Sequence, residues 1–324
     1  MEFGIFIGGA THVDVIPKMV IATERLGYNS FWVSDHLFLP ERFYESVGMT
    51  PKKGESPFLE AWTTMAAAAA VTQKLKLGVG VTPIPMRDPG ILAKQIATID
   101  FISNGRVIFG CGAGWHKREF EAYGIPWDAH KVRIAKMLEG LELMKRLWTE
   151  PFASFNGKYY KLRDAPLWPK PVQKPHPPIW FGGLSSSIME ATAKYGNGWV
   201  PYCLSPSEFR RHHKLLVDVL KKAGRKQEEV TSACVVLAHL DSSYKAASKF
   251  AKPILKTRGT RTLTAEKWDE ATDRSVIGSS EECISKIEEY AKAGVQNLLF
   301  EMIHPKNVYT LIKRFGKKVL PAFK

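Results

Sequence analysis

The sequence predicts an α/β fold: a (β/α)8 TIM barrel with insertions after strands 2, 4 and 7, spanning residues 1–324 as a single domain. Three observations predict it. The stretch Leu75–Trp115 reads as one strand–helix–strand unit. Short apolar runs alternate with helical patterns eight times along the chain. The length of 324 residues fits a barrel of roughly 250 residues plus insertions, and no 20–50 residue repeat argues for a solenoid.

The unit Leu75–Trp115 sets the frame. Leu75–Val81 is an apolar run with glycines inside it, as a buried parallel strand requires. Thr82–Pro89 holds three prolines and continues neither element. Asp88-Pro89 opens a helix, with proline where no backbone donor is lost, and Ser103-Asn104-Gly105 ends it. Val107–Cys111 is the next strand, followed by Gly112-Ala113-Gly114. A right-handed crossover puts both post-strand loops on the same rim, so Thr82–Pro89 and Cys111–Trp115 lie side by side where such folds keep ligands.

The other elements follow in order. Glu2–Gly8 is the first strand, followed by a loop carrying His12; Val13–Leu26 is helical and stops at Gly27; Ser30–Val33 is the second strand. Leu37–Ser56 is an irregular insertion of functional length, and Phe58–Thr72 an Ala-rich helix. Trp115–Tyr123 reads as a short helix and Lys131–Trp148 as a long amphipathic one. Asn156-Gly157 signals a hairpin inside Phe152–Leu162, and Pro166–Pro178, with six prolines, is extended. Ile179–Phe181 is a strand ending in Gly182-Gly183, with Ser185–Ser187 capping a helix through Lys194. Trp199-Val200 is the sixth strand, Ser207–Ala223 helical, Val230–Leu237 the seventh strand and Asp241–Arg274 a polar helical insertion. Ser279–Lys292 is a helix with a Ser279/Glu282 capping box, Gln296–Phe300 the eighth strand and Lys306–Val319 the last helix.

Composition narrows the class. Hydrophobic residues at 45% and charged residues at 24% are ordinary for a globular enzyme-sized chain. The formal net charge is +14, but Lys and Arg are scattered along helices and at the C-terminus, as on solvated faces. No dense basic tract recommends a nucleic-acid partner; a basic approach to an anionic cofactor is the alternative use. Cys111, Cys203, Cys234 and Cys283 lie far apart without CxxC spacing; three sit in apolar contexts and read as reduced, buried thiols, which makes a cytoplasmic location the simplest inference. No signal peptide or membrane-spanning run is read, so no membrane partner is expected.

Several residues at strand ends can carry chemistry. Asp35-His36 follows the second strand and pairs a carboxylate with an imidazole, which can position a ligand or exchange a proton; the bland alternative is a pair satisfying loop backbone. Gly182-Gly183 before a Ser-capped helix is an anion cradle or an ordinary tight turn. Trp32, Phe38, Trp115 and Trp199 can wall a flat ring or simply pack. His12, His36, His116, His239 and His304 show no metal-ligand spacing; His212 and His213 read as solvated. There is no Walker loop, GxSxG elbow or GxGxxG fingerprint.

The segments GYNSFWVSDHLF, LGVGVTPIPMRDPGILAKQIATIDFISNGRVIFGCGAGWHKREFEAYG and KPHPPIWFGG…AKYGNGWVP together resemble the luciferase-like flavin and deazaflavin oxidoreductases. Ser-Asp-His and Gly-Val-Thr-x-Pro are more similar to the branch using coenzyme F420 than to the branch using FMN. The resemblance implies a (β/α)8 barrel, a homodimer, and a cofactor ring at the strand ends. It implies that Asp35 and His36 contact the ring or flank the substrate, and that Thr82 hydrogen-bonds the ring. It implies a non-proline cis peptide at Gly80-Val81 propping the ring, and Gly182 and Gly183 on the phosphate with Asn197-Gly198 close by. It also implies that Gly112, Ala113, Gly114 and Trp115 contribute to the same cofactor pocket.

Departures accompany the resemblance. Sugar-phosphate dehydrogenases of the family carry a Trp shortly after the Asp-His pair, where Leu39-Pro40 stands here, and a Glu after Gly-x-Gly, where Trp115 stands. Their basic residue after the sixth strand is replaced by the Cys203-Leu204 region. A sugar phosphate is therefore disfavoured. The expected activity is hydride transfer between the deazaflavin C5 and a small organic substrate, with Asp35 and His36 as the catalytic pair. The alternatives are an FMN-dependent monooxygenase using reduced FMN and oxygen, and a ligand-binding barrel without catalysis.

Overall fold

Eleven strands are built into two sheets in a computed structural model that describes residues 1–8, 16–40, 58–258, 272–303 and 307–324, with the backbone alone over 253–258. The strands are β1 Glu2–Ile7, β2 Ser30–Val33, β3 Lys76–Pro83, β4 Val107–Gly112, β5 Phe152–Asn156, β6 Lys161–Pro166, β7 Ile179–Phe181, β8 Gly198–Trp199, β9 Thr231–Leu240, β10 Ser275–Gly278 and β11 Asn297–Met302. The helices are α1 Ile16–Arg25, α2 Ala61–Val71, α3 Pro89–Ser103, α4 Lys117–Ala122, α5 His130–Thr149, α6 Ser186–Tyr195, α7 Pro206–Lys222, α8 Tyr244–Arg258, α9 Ser280–Lys292 and α10 Val308–Lys318.

The main sheet runs β9-β11-β1-β2-β3-β4-β7-β8 and closes through a β8–β9 pairing, so eight parallel strands form the barrel that the alternation predicts. β10 lies outside this ring. It pairs with Leu237–Leu240 of β9 above the stretch that β8 occupies. The sequence reading missed β10, and it ended the seventh strand at Leu237, three residues short of the observed Leu240. The hairpin at Asn156-Gly157 is present as antiparallel β5 and β6.

Local chemistry sets the helix ends. Asp88 caps α3 by accepting from the Ile91 amide, with Pro89 in the first turn. The stop falls on Asn104 and Gly105, both left-handed, at φ 55° and 78°. Ser185 caps α6, Ser279 and Glu282 form the expected capping box on α9, and Glu60 caps α2.

Side chains divide into two layers. Those facing the helices form the larger core. Those inside the barrel form a plug around Phe6, Trp32, Ile108, Trp180 and Leu299. Trp32 and Trp180 meet at 5.1 Å between ring centroids. Glycines make room for them: a Cβ on Gly78 would stand 2.2 Å from Trp32, and one on Gly198 would stand 2.5 Å from Trp180. The plug fills the lumen with apolar side chains, and the partly buried Val81 packs against it.

Trp32 and Trp199 are both fully buried, so neither walls a ring at the mouth. Trp32 sits in the plug. Trp199 packs on Phe209 between barrel and helices and donates its indole N–H to the Gly183 carbonyl. Cys111, Cys234 and Cys283 are buried free thiols, and burial pushes Cys234 and Cys283 up to about 12. His212 and His213 are half-buried rather than solvated, with His213 stacked on Phe209. His12, His304, and residues 41–56 and 259–271 of the two expected insertions lie outside the described residues.

Candidate active site

The rim is built around an irregularity in β3. Val79 pairs with Phe109 and Thr82 with Cys111, so β3 carries one more residue than β4 across this interval. The Gly80-Val81 peptide within it is cis, as the resemblance implies. The extra residue lets both Gly80 and Val81 face the lumen: a Cβ on Gly80 would lie 2.9 Å from Phe6, and Val81 packs on the plug. Three glycines collar Val81. Added Cβ atoms at Gly112 and Gly182 would stand 2.5 and 2.8 Å from its methyls, and one at Gly110 would stand 3.1 Å from them. Val81 thus forms the floor of the mouth, with Gly112 and Gly182 beside it.

The same bulge reverses the alternation beyond it. Thr82 therefore points outward, fully buried, and its hydroxyl accepts from the Trp62 indole at 3.1 Å. The Thr82 hydroxyl is thus engaged in the β3–α2 packing.

Asp35 and His36 diverge in the same way. The side chain of Asp35 is 3% exposed, and both its oxygens are held by Arg87, at 3.0 Å from Nε and 2.5 Å from Nη2. Arg87 Nη2 also donates to Glu60 at 2.8 Å. Burial pushes the Asp35 carboxyl up, and the guanidinium opposes that shift. Asp35 is thus held behind the rim in an ion pair with Arg87, while its sequence neighbour His36 reaches the rim itself.

His36 is half-buried at the rim. Its Nδ1 lies 3.0 Å from Glu119 Oε2, and the Leu37 amide donates to Glu119 Oε1. Glu119, on α4, is 1% exposed. His116 Nδ1 stands 3.6 Å from the same Oε2. Burial lowers the His116 pKa, with His36 and Arg118 adding to the effect and Glu119 opposing it. Trp115 is 57% exposed, stacks on His116 at 5.2 Å and meets His36 edge-on at 5.5 Å. Phe58 also meets His36 edge-on, at 6.1 Å. The imidazole therefore has two aromatic neighbours, Trp115 and Phe58. Phe38 packs on His116 and Tyr123 at the rim's outer edge.

Gly182 and Gly183 follow β7 on this same rim, with Gly183 at φ 124°. No hydrogen bond from the Gly183, Leu184 or Ser185 amide is found among the described residues, and these amides precede the N-terminus of the ten-residue α6. Free amides and the helix dipole together favour an anion there. Ser34 Oγ, at the end of β2, is buried without a hydrogen-bond partner. Gly112, Ala113 and Gly114 complete the β4 edge; Gly114 has φ 80° and lies against Phe120 and Pro83, while Ala113 is buried toward the helices.

Asn197 and Gly198 do not join this group. Asn197 pairs with Ile179 and Thr231, the first residues of β7 and β9. It therefore marks the N-terminal rim, about 10 Å of strand below Gly182. This corrects their expected place beside the phosphate: Asn197 ties strand starts together and Gly198 clears space for Trp180.

Sequence reasoning missed four residues. Glu119 and Arg87 hold His36 and Asp35, and nothing in their local patterns announces the contact. Tyr202 donates to Glu301 Oε2 at 2.7 Å across the ends of β8 and β11. A buried Glu at the end of an apolar strand, in Leu298-Leu299-Phe300-Glu301, was a readable signal.

A family profile described as luciferase-like monooxygenase matches residues 1–297. An F420-dependent glucose-6-phosphate dehydrogenase of Amycolatopsis mediterranei (strain U-32) is 27% identical over 95% of this chain and 93% of its own length. An FMNH2-dependent dimethylsulfone monooxygenase of Pseudomonas putida is 33% identical over 56% of this chain and 47% of its own. Among solved structures, an F420-dependent secondary alcohol dehydrogenase bound to an F420–acetone adduct superposes with a TM-score of 0.83 at 23% identity, covering 100% of this chain and 99% of that one. That likeness shows the shared fold, and the profile shows the family. The chain belongs to the luciferase-like monooxygenase family.

Proposed function

We propose that this protein is a coenzyme F420-dependent oxidoreductase moving a hydride between the deazaflavin C5 and a small organic substrate. The observation that carries the reading is the convergence on one rim of His36, the Val81 floor and the free amides at Gly183–Ser185. Whole-length similarity to an F420-dependent dehydrogenase favours the deazaflavin over FMN. The donor set fits such a cofactor: Ser34 Oγ is an unpartnered buried hydroxyl at the mouth, and the amides before α6 suit a phosphate. When bound, the deazaflavin supplies the hydride chemistry.

The chain's own part is to bind, orient and handle the proton. Gly182, Gly183 and the start of α6 would hold the anionic tail, and Gly80, Val81, Gly112 and Gly114 would receive the ring. His36 exchanges a proton with the substrate oxygen or nitrogen as hydride moves. Trp115 and Phe58 line the surroundings of His36, and Trp115 makes this wall apolar, which disfavours a sugar phosphate.

An FMN-dependent monooxygenase is the second reading, favoured by the Pseudomonas relative over about half of this chain. Assembly as a homodimer belongs to the same proposal, since α3 leaves Ile91, Phe101 and Ile102 exposed, and so does a cytoplasmic location. No helix among the described residues is long and apolar enough to cross a membrane.

Fluorescence titration with F420 and with FMN tests the cofactor. Quenching at micromolar F420, with weaker response to FMN, is expected. Micromolar affinity for FMN with none for F420 reverses the choice. Oxidised and reduced F420 screened against alcohols, enones and imines then identifies the substrate.

A further inference from the structure

We propose that Glu119 is the positioning residue of His36, fixing which ring nitrogen works at the mouth. The proposal rests on the reading of His36 as the proton-handling group. As a carboxylate, Glu119 offers only acceptors. Its Oε2 lies 3.0 Å from His36 Nδ1, so that nitrogen must carry the hydrogen. Nε2 is then the nitrogen that takes up and gives back the proton, and no hydrogen bond to it is found among the described residues. When Nε2 takes up a proton, the Nδ1 hydrogen bond to the carboxylate becomes a charge-assisted one, with the Glu119 side chain 1% exposed and the His36 side chain 16% exposed.

The second oxygen makes the arrangement one-way. Glu119 Oε1 accepts from the Leu37 backbone amide, which can only donate. A Gln side chain at this position has one acceptor and one donor end. The Leu37 amide claims the oxygen, so the NH2 group turns to His36 Nδ1 and makes it an acceptor. Glu119→Gln therefore inverts the tautomer: Nε2 becomes the N–H and Nδ1 the lone pair. The volume is nearly unchanged, so the inversion comes without a cavity.

His116 shares the carboxylate, and the ligand atoms of His36, His116 and Glu119 lie within 4.8 Å of one another. A divalent ion bridging them is the competing arrangement. It would take the Nδ1 lone pair of His36 and leave no hydrogen there.

The test uses 15N-histidine-labelled full-length protein without cofactor, with the His36 signals assigned by their loss in His36→Asn. Long-range 1H–15N spectra of the wild type show a protonated Nδ1 and a lone pair on Nε2; Glu119→Gln shows the reverse. With F420 and an identified substrate, Glu119→Gln lowers kcat by on the order of 10²-fold or more, while the F420 Kd stays within twofold. The same tautomer in both proteins, or a kcat within twofold of wild type, overturns the proposal. Activity lost to EDTA and restored by zinc also overturns it, in favour of the metal. If Glu119→Gln does not fold, the wild-type spectrum still decides, because a lone pair on Nδ1 contradicts the assignment. If F420 fails to bind, the proposed function falls while the ring spectra still judge Glu119.

Discussion

Asp35 and His36 are neighbours in sequence, yet they take opposite places in the barrel. Asp35 turns toward the helices and is locked between two Arg87 nitrogens; His36 lies at the rim with one nitrogen held by Glu119. Two polar residues at the end of one strand thus part: one is locked in an ion pair behind the rim, the other is held at the rim by Glu119. The difference comes from strand alternation: Ser34 faces the lumen and Asp35 the helix layer, and the chain leaves the strand before His36. A carboxylate beside an imidazole in sequence is therefore weak grounds for a catalytic pair, whereas Glu119, 83 residues away, is the carboxylate that His36 meets.

The sharpest way to break this contrast is to remove each side chain in turn. His36→Asn is expected to lower kcat by about 10²–10⁴-fold with the melting temperature and cofactor affinity nearly unchanged. Steady-state turnover beside a melting curve checks it, and a fold-changed Tm with normal kcat would reverse the roles. Arg87→Leu should do the opposite. It leaves a buried carboxyl unpaired and costs about 3–5 kcal/mol of stability, read from urea unfolding. A loss below about 1 kcal/mol would show that Asp35 is not an anchor.

The floor is next. Gly182→Ala places a Cβ 2.8 Å from a Val81 methyl, so overpacking of about 1–3 kcal/mol and weaker cofactor binding are expected. Adding Val81→Ala should recover part of the stability loss. An additive double mutant would mean that the two side chains do not press on each other.

Acid titration sharpens the burial side of the comparison. Burial lowers the pKa of His116 and of His239, so the fold holds both neutral while the unfolded chain protonates near pH 6.5. Unfolded chains then bind more protons, and stability falls as pH drops below about 6.5 toward the folded values. Melting temperature should be flat from pH 8 to 7 and decline toward pH 5.5. A rise over that interval would contradict it. Smallest of all, Asn197→Ala should cost about 1 kcal/mol through the Ile179 amide that its Oδ1 accepts, with no change in cofactor affinity.

Much of the barrel was legible because each signal was local. Apolar runs marked seven of the eight ring strands to within about two residues at each end, and Asp88, Ser185 and Ser279 announced helix starts by side-chain chemistry alone. The site was legible only in part. Gly182-Gly183 and His36 follow strands directly, so knowing the strand end gives the rim. Thr82 escaped because one extra residue in β3 inverts every side chain beyond it, and residue periodicity carries no mark of that insertion. Asn197 escaped because β8 is only two residues long, so its two ends cannot be told apart from pattern. Glu119 and Arg87 escaped because their partners are joined only by tertiary contact.

The most direct test of the account is a crystal structure of the protein with F420. It should show one cofactor touching both His36 and the Gly183–Ser185 amides, with its ring over Val81. Density for the phosphate at another strand end, or a ring that leaves Val81 and His36 uncovered, would contradict the central claim.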